Sequence, residues 1–277
     1  KTTTKEMVAS ILSTKWNIFK SYKNNNNPYL HTKKHARMIQ PEHQAVVLEF
    51  GMSRKGFGKE HCRYIEPNIG IITSIGFAHI GALGGHLQDI VEAKSALFRH
   101  MKPTGTLLLN MDDENSQLLQ TESFKGHIIT VGIKNQADYQ AKNVTFMEEG
   151  MSFKVLLDKK LEEFFIPCIG SHNVLNALFA IAVSHQLGFT PSEIRNGLMH
   201  FERPVRRLFA KPLRENAILL DDSYSANPHA VKVAIDVLNE IGKDKQKLVV
   251  LGSMLELGER SEELHQHIGK YLVDNNI

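Results

Sequence analysis

Residues 71–99 read IITSIGFAHIGALGGHLQDIVEAKSALFR, and this stretch predicts how the chain is organised. The run Ile71–Ile75 is apolar and rich in β-branched residues, which is typical of a buried strand. Glycine-rich residues 81–85 then lead into a helix with Asp89 near its start and Arg99 at its end, the order that the helix dipole favours. A strand, a loop and a helix in this order predict an open α/β sheet, in which ligands bind beyond the carboxyl ends of the strands.

This segment brings two polar groups towards one loop. His79 follows the predicted strand, and Lys94 shares a helix face with Ile90 and Leu97 because these residues are three or four positions apart. On these residues alone, the simplest interpretation is a surface loop with an exposed lysine. Other segments of the chain favour a functional interpretation.

Composition limits the class of protein. The chain has 277 residues, 42% of them hydrophobic, which is enough for one large domain or two smaller ones. The net charge of +3 comes without a basic tract, so no nucleic-acid partner is implied. Cys62 and Cys168 lack a metal-like spacing, and no apolar run approaches the roughly 18 residues of a membrane span. We therefore expect a cytoplasmic protein without a signal peptide, a membrane partner or structural disulfides.

Two segments ahead of residue 71 are typical of a nucleotide site. Lys1 and Thr2 would end a phosphate-binding loop if the residues before them were Gly-x-x-x-x-Gly, and a helix pattern follows them. The run AVVLEF over residues 45–50 predicts a buried strand that carries Glu49 near its end. A carboxylate there is costly unless it is paired or binds a cation, as an acid near Mg²⁺ does in phosphate-loop enzymes. A salt-bridged or helix-capping glutamate is the alternative.

The remaining pattern alternates between strands and helices. Residues 15–40 are polar and asparagine-rich and predict a loop, whereas the alternation over residues 138–168 predicts antiparallel hairpins. Residues 201–214 carry arginines and prolines and predict a linker between domains. The other predicted strands are 105–109, 127–131, 217–220 and 247–251, and the other predicted helices are 60–64, an amphipathic helix at 174–187, 192–199, 229–241 and 260–273.

Seven motifs occur in an order that is characteristic of one family. They are KTTTKE, VLEFGMS, IITSIGFAHI, EAK, GSHNVLNALFAIA, DDSYSANP and LGSMLELGERSEELHQHIG. Together they resemble the Mur ligases, most closely the member that adds D-alanyl-D-alanine to a UDP-muramoyl tripeptide in peptidoglycan synthesis. The resemblance implies that the UDP-binding N-terminal domain, the phosphate-loop glycines and the end of the C-terminal domain lie outside this sequence.

The resemblance implies a fold and two domains. We expect an α/β fold with a mostly parallel central sheet flanked by helices, as in phosphate-loop NTPases, and an added antiparallel part. Residues 1–205 would form the central ATP-binding domain, and residues 206–277 would form the N-terminal part of a Rossmann-like C-terminal ligase domain.

The resemblance also implies a reaction. Mur ligases use ATP and Mg²⁺ to phosphorylate a substrate carboxylate, and the amine of an amino acid or dipeptide then displaces phosphate. The expected partners are therefore small molecules, namely a nucleotide-linked or other carboxylate and an amine, and we expect a monomer.

Site residues follow from the matching motif positions. The three residues matching catalytic positions are Glu49, His79 and Lys94. The four that match magnesium positions are Thr2, Glu49, His79 and Lys94, the last as a carbamate, which offers an anionic oxygen where an ammonium would be repelled. The residues that match nucleotide-binding positions are Lys1, Thr2, Thr3, His172, Asn173, Asn176, Arg207, Asp222, Tyr224 and Asn227.

Three departures from the family pattern leave the acceptor open. Residues 28–31 lack the glycine pattern that follows the asparagines, the linker lacks a glycine before its arginine, and Gly252-Ser253 replaces the common Gly-Asp. The alternatives are a related ligase for another acceptor, such as a folate polyglutamate or an amino-acid polymer, and a nucleotide-binding module without turnover.

Overall fold

The computed structural model describes residues 1–243 and 245–277. The chain forms two compact units. The first comprises Lys1–Ile75 and Val91–Pro204, and the second comprises Gly76–Ile90 and Val205–Ile277.

A six-stranded sheet is the centre of the first unit. Strands β3 to β6 are parallel neighbours in that order, and β7 and β8 extend the sheet as antiparallel strands. The sheet is therefore mostly parallel with an antiparallel end, which confirms the predicted fold class. The strands of this unit are β1 Ile18–Lys20, β2 Ala45–Val47, β3 Ile69–Ile72, β4 Thr106–Asn110, β5 His127–Gly132, β6 Tyr139–Met147, β7 Gly150–Leu157 and β8 Lys160–Ile166.

Helices complete the first unit. The helices of the chain up to residue 200 are α1 Thr2–Ser13, α2 Lys33–Met38, α3 Phe57–Tyr64, α4 Ile80–Leu83, α5 Leu87–His100, α6 Ser171–Gln186 and α7 Pro191–His200. Of these, α4 and the first residues of α5 belong to the second unit. Helix α1 packs against α6 and α7, and its apolar residues join one core with β5 to β8.

The alternating pattern over residues 138–168 correctly predicts hairpins. Along β7, Phe153, Val155 and Leu157 are buried and their neighbours are more exposed. Phe153 pairs in register with Phe164 of β8. One face of these strands therefore meets the core, as the period of two requires.

Helix α6 is not amphipathic, contrary to the prediction. Residues 173–184 are buried with the exception of Leu175, which is partly buried. A helix that is apolar on nearly every face lies in the interior, where neighbours cover all its sides. Gly188, with φ of 80°, follows its end, as predicted.

Two predicted strands are displaced or shortened. The strand predicted at Ile71–Ile75 is β3, Ile69–Ile72, because the backbone beyond it bonds to side chains: Ile75 N–H donates to Asp113 Oδ2 at 2.6 Å. The strand predicted over residues 45–50 is limited to Ala45–Val47 and is only partly buried, because it pairs with the three residues of β1 alone.

The predicted loop over residues 15–40 contains regular structure. It holds β1, a π-helical turn at Pro28–Thr32, and α2. The Asn27 side chain caps the turn by accepting hydrogen bonds from Tyr29 N–H at 3.0 Å and Leu30 N–H at 3.1 Å. Polar composition does not distinguish such a turn from a solvated loop, because asparagine favours both.

The second unit contains a two-stranded antiparallel sheet, β9 Phe209–Pro212 with β10 Ile218–Asp221, and the helices α8 Pro228–Ile241 and α9 Ser261–Asp274. Strand β9 lies inside the predicted linker. The prediction of a strand at 247–251 is wrong, because this segment pairs with no other strand that the structure describes. Leu248 and Val250 are 83% and 88% exposed. An apolar run forms a strand only where another strand pairs with it.

None of the helices in the part of the chain that the structure describes is long and apolar enough to cross a membrane.

Candidate functional site

The start of α1 is a buried cluster of hydroxyl groups. The helix begins at Thr2, and Thr2, Thr3 and Thr4 are 5%, 7% and 4% exposed. The first N–H groups of a helix have no partner within it and carry the positive end of its dipole, so this terminus suits an anion such as phosphate. Lys1 occupies the N-cap position beside it, and the first turn carries no acidic residue.

Glu49 lies beside this terminus. Its carboxylate accepts a hydrogen bond from Thr2 Oγ1 at 2.8 Å and another from Asn26 Nδ2 at 3.0 Å. The structure thus brings together two residues that the sequence assigns to one site, although they are 47 positions apart. A carboxylate and a hydroxyl at this distance are oxygen donors of the kind that hard cations prefer.

Asn26 is held in place by a close approach to Gly51. The Gly51 N–H donates to Asn26 O at 2.8 Å, and a Cβ atom at Gly51 would lie 2.7 Å from that same oxygen. Only glycine permits this contact. Sequence reasoning missed Asn26, because the asparagine run at 24–27 predicts a solvated loop.

His61 is a second residue that sequence reasoning missed. It is fully buried, its Nδ1 lies 2.7 Å from Thr32 Oγ1, and its Nε2 lies 2.9 Å from Gly51 O. Because a carbonyl oxygen only accepts, Nε2 carries the proton and Nδ1 accepts from the threonine hydroxyl. The pKa of His61 is lowered to about 4, because the effect of burial exceeds that of the hydrogen bond to Gly51, which raises the pKa. The ring stacks on Phe50 at 4.3 Å between centroids.

Lys94 is partly buried on α5. Burial lowers the pKa of Lys94, and the carboxylate of Asp113 partly opposes the shift. Asp113 is oriented by Ile75 N–H and by Ser116 Oγ, which donates at 3.0 Å. A lowered pKa increases the fraction of neutral amine, which is the nucleophilic form of lysine.

The predicted nucleotide residues of α6 are linked to α1. Thr4 Oγ1 donates to Asn176 Oδ1 at 3.0 Å, and Asn176 Nδ2 donates to Asn173 Oδ1 at 2.9 Å. Asn173 Nδ2 donates in turn to Ile169 O at 2.7 Å. His172 lies in the first turn of the same helix. These amides therefore link the start of α1 to the start of α6.

His79 belongs to the second unit, where it faces Glu256. Its Nδ1 bonds to Glu256 Oε2, and the Gly81 N–H donates to Glu256 O at 2.9 Å. Both His79 and Glu256 have positive φ angles, 63° and 60°. Glu256 is in the motif LGSMLELGERSEELHQHIG, but the sequence assigned it no role.

The other predicted residues of the second unit cluster at one loop. The Arg207 guanidinium lies 4.2 Å from the Tyr224 ring centroid, and Asp222 Oδ1 accepts from Leu208 N–H at 3.0 Å. Asn227 caps α8, because its Oδ1 accepts from Ala230 N–H at 3.0 Å. The structure brings Arg207, Asp222 and Tyr224 together, whereas Asn227 serves the helix that follows.

No group of three or more His, Cys, Asp and Glu side chains in residues 1–243 and 245–277 is arranged to hold a metal ion. Mg²⁺ that accompanies a nucleotide takes one or two protein ligands and completes its shell with phosphate and water, so such a group is not required.

In this α/β chain a helix N-terminus, a hydroxyl and a carboxylate lie together. This arrangement is typical of nucleotide-dependent enzymes. The comparison with known families defines the class further. Residues 1–184 match the Mur ligase middle domain, and residues 206–277 match the Mur ligase glutamate ligase domain. The chain belongs to the Mur ligase family.

Individual relatives share one activity by name. The chain is 32% identical, over 100% of its length, to UDP-N-acetylmuramoyl-tripeptide--D-alanyl-D-alanine ligase of Bacillus subtilis, and 30% identical, over 98%, to the enzyme of Escherichia coli with the same name. It spans 59% of each of these relatives. A crystal structure of MurF from Acinetobacter baumannii aligns over 99% of this chain and 59% of its own, with 28% identity and a TM-score of 0.90.

The buried imidazole predicts a pH dependence of stability. The pKa of His61 is lower in the folded protein than in the unfolded chain. The unfolded chain therefore binds a proton at this residue below about pH 6.5, whereas the folded protein does so only at lower pH. The contribution of the neutral His61 side chain to the free energy of unfolding is complete above pH 6.5. It is lost as the pH falls towards 4, which lowers the free energy of unfolding by about 3 kcal/mol.

Urea unfolding between pH 7 and 4 measures this effect. We expect the free energy of unfolding of His61→Asn to be lower at pH 7 and to fall less steeply with acid than that of the unaltered protein. His127→Gln, at an exposed position of β5, is the control and should follow the unaltered curve. Parallel curves for all three proteins would contradict the assignment.

Proposed function

We propose that this chain belongs to an ATP-dependent ligase that joins D-alanyl-D-alanine to the terminal carboxylate of a UDP-muramoyl tripeptide in peptidoglycan synthesis. The observation that carries the proposal is the contact of Thr2 with Glu49 at the start of α1. It occurs in a chain whose whole length is 32% identical to a ligase named for that reaction. Residues 1–205 would hold ATP, and residues 206–277 would supply part of the ligase domain.

The donor set at α1 fits Mg²⁺. Thr2 offers a neutral hydroxyl oxygen and Glu49 an anionic one, and both are positioned by hydrogen bonds before any ligand arrives. In this proposal Thr2, Glu49, His79 and a carbamate of Lys94 would hold the metal. Mg²⁺ bound there would neutralise charge that develops on the transferring phosphoryl group.

The proposed reaction has two steps. A carboxylate oxygen of the tripeptide attacks the γ-phosphorus of ATP, and the bond to the β-phosphate oxygen breaks, which gives an acyl phosphate and ADP. The dipeptide amine then attacks the acyl carbon, inorganic phosphate leaves, and the nitrogen loses a proton as the amide forms. Both steps depend on positioning and on the stabilisation of negative charge more than on covalent help from the protein.

The residues of this chain would share the work of binding. Lys1, Thr2 and Thr3 would contact the phosphates at the helix terminus. His172, Asn173 and Asn176 would lie near the adenine, and Arg207, Asp222, Tyr224 and Asn227 would approach ATP from the second domain. Since the proposed substrates are nucleotides and small peptides of the cell interior, the reaction would take place in the cytoplasm, with a monomer as the expected active form.

Phosphate release by the complete protein tests the function. We expect release to require ATP, the UDP-muramoyl tripeptide and D-alanyl-D-alanine together. Release with glutamate and a folate or polyglutamate acceptor in their place would identify a related ligase. ATP binding without release in any mixture would leave a nucleotide-binding module.

Glu49→Gln tests the proposed metal role. The amide keeps the size of the side chain and loses the anionic oxygen, so we expect turnover to fall about 100-fold, which corresponds to ~2.7 kcal/mol of transition-state stabilisation. Steady-state kinetics at saturating Mg²⁺ measure the loss. Glu42→Gln makes the same change at an exposed position and should be silent. Full activity of Glu49→Gln would argue against the metal role.

Lys94→Ala tests the proposed carbamate. The neutral amine of Lys94 would attack CO₂ and release a proton, which leaves an anionic oxygen ligand, and the lowered pKa of the lysine favours this step. We expect Lys94→Ala to be inactive and to regain part of its turnover in formate or acetate, which can supply the missing oxygen. Failure of every short carboxylate, with chloride as the salt control, would instead indicate a lysine that acts as a cation.

Arg207→Ala tests the loop of the second unit. Because the guanidinium lies against Tyr224 and would approach the nucleotide, we expect the KM for ATP to rise about tenfold with a smaller change in kcat. Arg214→Ala, at an exposed position of the same segment, is the control. An unchanged KM in Arg207→Ala would remove this residue from the site.

A further inference from the structure

Helix α1 carries a buried ammonium group that the proposed reaction does not use. Lys5 is 4% exposed, and its Nζ donates to Ser21 O at 2.6 Å and to Lys23 O at 2.5 Å. It also pairs with Glu6 Oε1 at 2.7 Å. An ammonium has three N–H donors, and these three acceptors match them. A charge is retained in such a place only when it is paired and fully hydrogen-bonded.

The negative partner of Lys5 is fixed from a second side. Glu6 Oε2 lies 2.6 Å from Lys20 Nζ, which also contacts Glu202 at 3.1 Å. Burial lowers the pKa of Lys20, but the hydrogen bonds to both glutamates outweigh it and the net shift is upward. Glu6 therefore lies between two lysines, and the Lys5 ammonium is held in one position.

The two carbonyls that Lys5 holds belong to the segment that leads to Asn26. Lys23, which supplies the second of these carbonyls, has a φ of 47°, a left-handed conformation that residues other than glycine avoid at a cost of roughly 1 kcal/mol. The hydrogen bonds from Lys5 to the backbone on either side of Tyr22 offset that cost. Without them the segment would be expected to leave this conformation.

This segment positions Glu49 at two points. Asn26 Nδ2 donates to Glu49 Oε1 at 3.0 Å, and the Glu49 N–H donates to Ser21 Oγ at 3.2 Å. Lys5 is three residues after Thr2 on α1, so the two side chains lie on one helix face. One face of α1 thus bonds directly to the Glu49 carboxylate and also anchors the segment that orients it.

We propose that Lys5 is a positioning residue for the cation site at Thr2 and Glu49. It acts through the segment 21–26 and touches neither the substrate nor the cation. The inference rests on the metal role of Glu49 that is proposed above. Groups that hydrogen-bond to a metal-binding carboxylate fix its orientation, and their loss weakens metal affinity on the order of ten- to a hundredfold.

Mn²⁺ affinity tests this inference. The affinity of the complete protein for Mn²⁺ in the presence of ADP is measured by electron paramagnetic resonance in Lys5→Met, Asn26→Ala and the double variant. We expect each single variant to weaken Mn²⁺ binding by on the order of tenfold, with hydrogen exchange in residues 22–26 accelerated in Lys5→Met. Since both act on one path, we expect the double variant to be little weaker than Lys5→Met. Lys59→Met, exposed on α3, is the control.

Three outcomes would overturn the proposal. One is an unchanged Mn²⁺ affinity in a folded Lys5→Met. Another is a double variant whose Mn²⁺ affinity falls by the product of the two single-variant reductions, because the two residues would then act independently. The third is an unchanged Mn²⁺ affinity in Asn26→Ala, which would show that residues 21–26 do not orient Glu49. This variant leaves the buried lysine and glutamates in place, so it tests the connection even if Lys5→Met does not fold.

Glu49→Gln separates this inference from the proposed function. If Glu49→Gln leaves Mn²⁺ affinity unchanged, the metal role itself fails. If Glu49→Gln weakens binding while Lys5→Met and Asn26→Ala do not, the metal role stands and Lys5 has no part in it.

Discussion

Helix α1 begins with polar residues that the fold buries, and this constraint connects most of the first unit. Thr2 through Glu6 are all nearly inaccessible to solvent. Burial of such groups without hydrogen bonds would cost a few kcal/mol each, so the partners of Thr2, Thr4 and Lys5 matter for the fold. Thr2 bonds to Glu49 after β2, Thr4 bonds to Asn176 of α6, and Lys5 bonds to the chain after β1. One short motif therefore fixes the positions of three separate elements around the helix terminus.

Sequence patterns predicted the elements whose partners are local. The hairpins β6 to β8 follow from alternation because each strand pairs with its neighbour in the chain. The segment 247–251 has the same apolar character and yet forms no strand, because a ladder depends on a partner that the pattern does not contain. In the same way, the apolar residues of α6 predicted a helix but not that protein would surround nearly every face of it.

One contact of the candidate site was predictable from the sequence, whereas its supporting contacts were not. The sequence placed Thr2 and Glu49 in one site, and the structure has them in direct contact. Asn26 and His61 were missed because an asparagine run and a lone histidine are commonest at solvated positions. Their roles arise only when the chain returns to Gly51, where a close backbone approach lets Asn26 and His61 bond to the same residue. Such contacts depend on topology, which residue types do not encode by themselves.

The contact of His79 with Glu256 bears on the proposed role of the histidine within the second unit. A carboxylate accepts only, so the proton of this hydrogen bond lies on Nδ1 of His79, and Nε2 is the ring nitrogen that does not bond to Glu256. Metal-binding histidines commonly have this arrangement, in which a carboxylate at one nitrogen fixes the tautomer and raises the basicity of the other. The left-handed backbone at both residues indicates that the surrounding segments hold the pair against a local conformational cost. The geometry of the pair thus suits a ligand at Nε2, even though the motif that contains Glu256 lies far from His79 in the sequence.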